Sequence, residues 1–276
     1  YDFGGGDVAN NRFEGVFRST WDGQMVWIET CHGDNYSVAA GHGVVYTVGH
    51  DHDCSEMDSY AQTMPSWDFH HSMATAKEYL DDKKVNNNIW SGYRNFAGNP
   101  GGTNLHWYPE WQVGTYTGSE QAGWDVEAND QYAVFGGEFL RVNNNAQEGL
   151  VRFALSEVAP DNNGPRFGEG DWAPTAIPIG PRQNQVSWPA NYDRDNEYLT
   201  YQLLRQDRGN TPLHTVTASS SFWNRPTLTF TDTNVTAGQT YQYRVRATDA
   251  SGNTAVSAWA SVTASATGVG TAYDKR

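Results

Sequence analysis

A chain of 276 residues is long enough for two domains, and 28 Gly, 11 Trp and 15 Tyr with only 18% charged residues are typical of strands joined by tight turns. The formal net charge of −14 argues against nucleic acid and anionic membranes as partners, because no basic stripe is present to displace phosphate counterions. No run of about 18 apolar residues is present, so the sequence predicts no membrane-spanning helix.

The clearest feature of the sequence is an internal repeat. Residues 132–154 read as an apolar strand, a Gly-Gly step, an Asn-rich turn and a second strand. The start of the chain has the same order of motifs, so that Phe3-Gly4-Gly5, Asn10-Asn11 and Glu14-Gly15 match Phe135-Gly136-Gly137, Asn143-Asn144 and Glu148-Gly149. The offset drifts from 132 to 134, which indicates diverged copies, and residues 46–50 form a partial third copy. Such self-similarity between strands closed by Gly-rich turns predicts a β-propeller.

The repeat region, residues 1–156, contains enough predicted strands for about two blades and one spare strand. The first blade has strands at residues 15–20, 25–28, 36–40 and 44–48. The second blade has them at 71–76, 105–108, 124–126 and 132–139, with a Lys- and Asn-rich insertion at 77–104 and a spare strand at 149–155. Because a ring needs about four to eight blades, we expect the missing blades upstream in the same polypeptide or in another chain.

The rest of the sequence predicts a second all-β domain. Residues 157–174 are rich in Pro and Gly and predict a linker. Seven short strands with intervening turns then follow, at residues 175–179, 185–188, 198–205, 213–216, 227–231, 241–248 and 255–263. This pattern predicts an immunoglobulin-like sandwich over residues 175–264, and residues 265–276 are predicted to be a tail.

Two cysteines, Cys31 and Cys54, are separated by 23 positions. In a Lys-poor chain rich in Gly and Trp they predict a disulfide and an oxidising compartment, with two buried thiols as the alternative. We therefore expect a secreted or cell-surface protein.

Three motifs in the second domain resemble a fibronectin type III domain. Residues 185–188 (QVSW) resemble its strand B with the core Trp, and residues 238–247 (GQTYQYRVRA) resemble its strand F with the corner Tyr. Residues 249–253 (DASGN) resemble the turn between strands F and G. The likeness covers about a third of the chain and departs from the family at 191–196, where an acidic turn replaces the usual loop.

The first part of the chain is similar to repeat domains that precede such modules in large secreted bacterial proteins. The likeness rests on residues 31–34 (CHGD), 49–54 (GHDHDC), 136–139 (GGEF) and 147–153 (QEGLVRF). Members of that group commonly continue into laminin-G-like, sugar-binding modules. The resemblance therefore implies an extracellular location and a modular architecture more than a particular chemistry.

Two groups of polar residues are candidate metal ligands. His50 and His52 would project from the same face of a strand and, with His32, could hold Zn²⁺. The alternative is that they bond to the backbone of a turn, since no HExxH or paired CxxC pattern is present. Asp193 and Asp195 lie in an oxygen-rich segment that could hold Ca²⁺, although it lacks the full loop spacing and a solvated turn is the alternative.

Aromatic residues are the most informative candidates for ligand binding, because sugar rings offer apolar faces that stack on flat side chains. Five of them crowd around the insertion: Trp90, Tyr93, Trp107, Tyr108 and Trp111. A core position is the alternative for Trp107 and Trp111. No GxSxG motif is present, and paired carboxylates suited to glycoside hydrolysis cannot be chosen among 32 acidic residues.

These observations favour a non-enzymatic extracellular or cell-surface binding or adhesion module with polysaccharide as its ligand. Two alternatives stay open, namely a structural spacer or filament subunit that assembles with other chains, and an accessory fragment of a secreted carbohydrate-active enzyme. The expected partners are upstream blades or another chain and a polysaccharide, and the expected cofactors are none or a Ca²⁺ or Zn²⁺ ion.

Overall fold

A computed structural model of the chain describes residues 13–87 and 92–267. These residues form an all-β protein, as the sequence predicts, in which the helical segments are two short 3-10 turns. The chain divides into two compact units, one that ends at Pro160 and one that begins at Asp161. The first copy of the Gly-Gly and Asn-Asn motifs, Trp90 and most of the predicted tail lie outside the described residues.

The described strands of the first unit are short and antiparallel. They are β1 (Val16–Ser19), β2 (Met25–Glu29), β3 (Asn35–Gly41), β4 (Val44–Asp51), β5 (His70–Ala76), β6 (Trp111–Gln112), β7 (Gly123–Ala128), β8 (Tyr132–Gly137), β9 (Arg141–Val142), β10 (Asn145–Ala146) and β11 (Leu150–Ala154). They form four sheets with the strand orders β1-β2, β3-β4-β5, β10-β9-β6 and β11-β8-β7. None of these sheets closes on itself within the described residues.

The sheets β3-β4-β5 and β11-β8-β7 pack against each other because alternate residues of their strands are apolar. Val48 on β4, Val126 on β7 and Phe135 on β8 are 0 to 2% exposed and form the centre of this core. The hydroxyl of Ser37 on β3 also accepts a hydrogen bond from the backbone N–H of Val126 at 3.3 Å. Both the apolar core and this polar contact hold β3 against β7.

One predicted strand of the first unit is wrong. Residues 105–108 form a turn, in which the backbone N–H of Trp107 donates to the carbonyl of Leu105 at 2.8 Å. Pro109 follows and has no backbone N–H to contribute to a sheet. The segment therefore forms no strand, although the backbone N–H of Leu105 donates to the carbonyl of Ala74 on β5 at 2.7 Å.

In the second copy of the repeat, the structure explains why the turn contains Asn and why the strand before it ends in Gly. Asn143 and Asn144 have φ of 50° and 65° and make the tight turn between β9 and β10, a conformation that Asn tolerates better than most residues. A Cβ atom at Gly137 would lie 2.0 Å from the carbonyl oxygen of Ala122, whereas one at Gly136 would meet nothing within 4 Å. The second glycine of the pair is therefore required by the close approach of β7 and β8.

The second unit consists of two antiparallel sheets around one core. Its strands are β12 (Thr175–Gly180), β13 (Gln183–Pro189), β14 (Tyr198–Arg205), β15 (His214–Ser219), β16 (Thr227–Asp232), β17 (Thr240–Thr248), β18 (Thr254–Val256) and β19 (Ala260–Thr263). One sheet has the order β12-β13-β16, and the other has β15-β14-β17 with β18 and β19 both paired to β17. Trp188 from the first sheet and Tyr201 and Val245 from the second are 0 to 1% exposed and meet in the core.

The segment that the sequence predicts as a linker, residues 157–174, contributes to the second unit from Asp161 onward. Trp172 is 2% exposed, packs in the core and donates its indole N–H to the carbonyl of Pro189 at 2.9 Å. Phe167 packs against the same core. A large apolar side chain with one satisfied donor is stabilised by burial, so this part of the predicted linker is a structural element.

The Gly-Gly pair allows a matched test of the packing between β7 and β8. We expect Gly137→Ala to lower the free energy of unfolding of the first unit by about 1 to 3 kcal/mol, because the new methyl group overlaps backbone atoms that cannot move independently. Gly136→Ala is the control and should change stability by less than about 1 kcal/mol. Urea denaturation of both variants measures the difference, and equal effects would contradict this packing.

Candidate functional site: an aromatic row on the first unit

The end of β4 is irregular, and this irregularity separates the two histidines of the HDHD motif. β4 and β5 pair regularly as far as Val48 opposite Ser72, and the register then shifts before Asp51. A bulge of this kind bends a strand and redirects the side chains next to it. His50 contacts Tyr36, whereas His52 lies beyond the end of β4 and stacks on Trp67.

Five aromatic rings form a continuous row on the surface of the first unit, which we call the aromatic row: Trp67, Phe69, His50, Tyr36 and Trp124. The centroids of successive rings are separated by 6.2, 5.6, 5.7 and 5.0 Å along this order. Trp67 and Phe69 are each 46% exposed and Trp124 is 38% exposed. Monomeric proteins seldom leave contiguous apolar side chains in water without a function.

Hydrogen bonds fix the middle of the row. The backbone N–H of Asp34 donates to Nε2 of His50 at 3.4 Å, and Nδ1 of His50 lies 2.6 Å from the hydroxyl of Tyr36. A neutral His50 that accepts at Nε2 carries its proton on Nδ1 and donates it to the Tyr36 oxygen. Burial, with the charges of Asp34 and Asp51, raises the pKa of Tyr36 to about 12. Tyr36 therefore keeps a hydroxyl proton that it can donate to a ligand.

The residues that follow Tyr36 and Trp124 in the sequence form a polar pair. Ser37 donates its hydroxyl proton to Oδ1 of Asp125 at 2.5 Å, and the carboxylate of Asp125 is exposed on the next residue after Trp124. An exposed carboxylate accepts hydrogen bonds from ligand hydroxyls. The row thus combines flat apolar faces with a donor at its centre and an acceptor near one end.

Through the stacking of Trp67 on His52, the row contacts a buried cluster of acids and histidines around the disulfide. Six of its side chains are at most 5% exposed: Glu29, Asp51, Asp53, Glu56, His32 and His52. The predicted disulfide between Cys31 and Cys54 is confirmed and joins the segment after β2 to the segment after β4. Nε2 of His32 lies 2.9 Å from Oε1 of Glu56, whose other oxygen accepts the hydroxyl proton of Thr30 at 2.9 Å.

Glu29 and Asp51 form a buried carboxylate pair within this cluster. Burial raises the pKa of Glu29 to about 7, and burial together with the charge of Glu29 raises the pKa of Asp51 well above its ordinary value. Within the described residues neither carboxylate has a Lys or Arg partner, and Oε2 of Glu29 and Oδ2 of Asp51 accept no hydrogen bond. Both carboxyl groups therefore favour their protonated forms more strongly than an exposed carboxyl group does.

The structure brings two of the three predicted zinc ligands near each other. The ring centroids of His32 and His52 are 6.3 Å apart, while His50 bonds to Tyr36. In the described part of the chain, the one group of three His, Cys, Asp or Glu ligand atoms within 4.8 Å of one another is Glu29 with Cys31 and Cys54. Both cysteines of that group are oxidised. A zinc ion bound by His32, His50 and His52 stays a prediction.

The predicted calcium ligands lie in a turn that bonds largely to itself. Oδ1 of Asp193 accepts the backbone N–H groups of Arg194 at 2.6 Å and of Asp195 at 3.4 Å. Asn196 donates to Oδ1 of Asp195 at 3.1 Å and to Oδ2 of Asp161 at 3.2 Å. Burial and the adjacent Asp195 raise the pKa of Asp193 to about 7. A calcium ion here also stays a prediction.

The aromatic residues that the sequence favours as ligand contacts are mostly interior. Trp107 and Trp111 pack against the core of the first unit, Trp111 donates its indole N–H to Ser72 at 2.9 Å, and Tyr108 is 9% exposed. Large rings are needed there to fill the space between the two main sheets. These contacts favour the core alternative for Trp107 and Trp111, and ligand binding by Trp107, Tyr108 and Trp111 stays a prediction.

Tyr93 has a supporting position. Its ring lies edge-on to His32 with centroids 4.0 Å apart, and its hydroxyl donates to Oε2 of Glu14 at 3.0 Å. Trp90, the fifth predicted contact, lies outside the described residues. The aromatic row itself was missed by the sequence reasoning, although the alternation Trp67-Asp68-Phe69 after Pro65 is a signal for two aromatic side chains on one side of an extended segment.

A scan against protein-family models found no match, and a search of curated proteins found no significant similarity. Across residues 13–87 and 92–267, no helix is both long and apolar enough to cross a bilayer. The function is therefore argued from the geometry of the site.

The carboxylate pair predicts a pH dependence that Glu29→Gln should remove. Because folding raises the pKa of Glu29 from 4.5 to about 7, the folded state favours its protonated form, and the wild-type loses stability as pH rises from about 4.5 to 7. The variant should match the wild type near pH 4.5 and exceed its free energy of unfolding by up to about 3 kcal/mol at pH 8.

The measurement is urea denaturation of the first unit at a series of pH values. His52 and His70 have pKa values lowered to about 4 by burial, and their contributions rise as pH rises toward 6.5. The difference between variant and wild type therefore reports Glu29 together with Asp51, whose pKa the charge of Glu29 raises. The exposed Glu127→Gln is the matched control. A pH-independent difference for Glu29→Gln would contradict the assignment.

Proposed function

We propose that the chain is an extracellular binding module that holds a polysaccharide on the aromatic row of its first unit. The observation that carries the proposal is the row itself, in which successive ring centroids are 5.0 to 6.2 Å apart and Trp67, Phe69 and Trp124 are 38 to 46% exposed. Apolar platforms with a few polar groups are typical of binding sites for small rings. The disulfide supports an oxidising, extracellular location.

The chemistry of a pyranose suits this surface. Its C–H faces are apolar and stack on exposed indole and phenyl rings, while its equatorial hydroxyls donate and accept hydrogen bonds at the edge. The hydroxyl of Tyr36 can donate to such a group, and the carboxylate of Asp125 can accept from one. Each ring of the row is close to the size of one sugar ring, so an extended chain would contact several rings at once.

Charge favours a neutral polysaccharide over an anionic one. Asp125, which is exposed, follows Trp124, and the chain has a net charge of −14. Like charges at a binding surface raise the free energy of the complex and slow association. Uronic-acid and sulfated polymers would therefore bind more weakly than neutral glycans.

The second unit is proposed to be a fibronectin type III-like module. The supporting observations are the three-stranded sheet opposite a sheet centred on β14 and β17, and the hydroxyl of Tyr241, which accepts the backbone N–H of Thr236 at 2.9 Å. A tyrosine that bonds to the backbone a few residues upstream at this strand is typical of the immunoglobulin-like sandwich. The small antiparallel sheets of the first unit support its proposed origin in a β-propeller, joined to further blades.

No catalytic role is proposed for the buried carboxylates. Glu29 and Asp51 are 1% and 0% exposed, and a glycosidic bond cannot reach groups that are closed off from solvent. The carboxylate pair is better explained as part of the support behind the aromatic row.

Truncation of the row tests the proposal. We expect Trp67→Ala and Trp124→Ala each to weaken binding to a neutral polysaccharide about tenfold or more, because each removes one stacking platform. Trp21→Ala is the matched control, since Trp21 is fully exposed and outside the row, and should bind like the wild type. Binding is measured by pull-down on insoluble β-glucan, chitin and starch, followed by titration calorimetry with soluble fragments.

Three outcomes would contradict the proposal. Absence of binding to all neutral glycans would remove the ligand class, and equal weakening by Trp21→Ala would remove the row as the site. Concentration-dependent polymerisation without glycan binding, detected by light scattering, would favour the alternative of a structural spacer or filament subunit.

A further inference from the structure

Successive rings of the aromatic row are tilted relative to one another. Trp67 and Phe69, its two most exposed members, have ring planes that meet at 62°. The angle is 87° between Phe69 and His50 and 53° between His50 and Tyr36. At the other end of the row, the rings of Tyr36 and Trp124 meet at 36°. The direction in which the rings face therefore changes along the row.

Neighbouring side chains hold Trp67 and Phe69 in these orientations. His52, which is 5% exposed, stacks on the indole of Trp67, with centroids 4.3 Å apart and planes that meet at 26°. His50 and His52 both lie edge-on to Phe69, at 87° and 88°. Rotation of either exposed ring into the plane of the other would break these contacts. The tilt is therefore present before a ligand binds.

The tilt distinguishes two physical forms of a polysaccharide. On the face of a crystalline polymer, packed parallel chains hold many sugar rings in one plane. In a single dissolved chain, rotation about the glycosidic bonds turns each sugar relative to the next. Two rings whose planes meet at 62° cannot both lie flat on one plane, but they can stack on two sugars that are turned relative to each other.

The hydroxyl of Tyr36 favours the same form. It keeps its proton because its pKa is raised to about 12, and the contact with Nδ1 of His50 holds its oxygen in place. Hydroxyl groups on a crystalline face already bond to neighbouring chains, whereas those of a dissolved chain are free to accept. A donor that finds no acceptor in the complex loses the hydrogen bond that it makes to water.

We infer that the aromatic row binds a single, twisted chain of neutral polysaccharide from solution and does not bind the flat face of a crystalline polymer. This inference rests on the proposed function and adds the physical form of its ligand. Trp67 and Phe69 stack on different sugars of the same chain. The angle between these two rings selects chains whose sugars are turned relative to one another.

Binding of the full chain to the same polymers in two forms tests the inference. Cellulose, chitin and starch are each offered as the crystalline solid, in a depletion assay, and as soluble oligosaccharides, in titration calorimetry. For each polymer that binds, the soluble form should have a Kd at least about tenfold lower than the solid. The soluble form should also bind more tightly as its length increases, because a longer chain contacts more rings of the row.

The outcomes separate this inference from the proposed function. Binding to a crystalline solid at least as tightly as to its soluble oligosaccharides would overturn the inference and leave the proposed function standing. Absence of binding to every polymer in both forms would overturn the proposed function and the inference with it.

A variant tests whether the tilted pair is the selecting feature. Phe69→Leu keeps an apolar side chain but removes the flat ring, and it should weaken binding of the soluble oligosaccharide about two- to tenfold. Phe17→Leu is the matched control, since Phe17 is 60% exposed and outside the row, and should bind like the wild type. Thermal melting checks that both variants are folded. Unchanged affinity in a folded Phe69→Leu, or equal weakening in the control, would overturn the inference, and the comparison of solid and soluble forms needs no variant.

Discussion

The Cys31–Cys54 disulfide is the constraint on which the candidate site depends, because it clamps the segment after β2 onto the segment after β4. Next to it the backbone of His32 exchanges hydrogen bonds with His52 and Asp53 at 2.7 and 3.0 Å. Gly33 makes this approach possible, since a Cβ atom there would lie 2.4 Å from the carbonyl oxygen of His50. The clamp places His52 beneath Trp67 and His50 beside Tyr36, and these contacts set the line of the aromatic row.

The buried acidic and histidine side chains behind the row favour their uncharged forms. Burial raises the pKa of Glu29 to about 7 and lowers the pKa of His52 to about 4, so between these values both groups favour their neutral forms. Neutral groups cost less to keep away from water than charged ones.

Several features of this chain were open to prediction because they are local. The Asn143-Asn144 turn follows from the tolerance of Asn for positive φ, and Cys31 and Cys54 belong to a chain whose composition favours an oxidising compartment. The alternation of apolar and polar residues in β14 and β17 predicted two strands with one buried face.

The aromatic row and the roles of the other aromatic residues were not open to prediction in the same way. Tyr36 and Trp124 lie on different sheets and meet only because β3 packs against β7, and the alternation at Trp67 and Phe69 does not indicate which other rings these two side chains meet. A high density of aromatic residues in one stretch of sequence does not show which of them are buried in the core and which are exposed on the surface. Trp107 and Trp111, for example, belong to the aromatic group near the insertion but pack against the core between two sheets. Trp172 likewise shows that a segment rich in Pro and Gly can still carry a core residue.

The most direct measurement of the central claim is a nuclear magnetic resonance titration that follows the indole N–H signals of the chain's 11 tryptophans as a neutral oligosaccharide is added. The account predicts that the signals of Trp67 and Trp124 shift together and saturate with one affinity, while that of Trp21 stays in place. Shifts confined to tryptophans outside the row, or no shifts at all while the oligosaccharide binds, would contradict it.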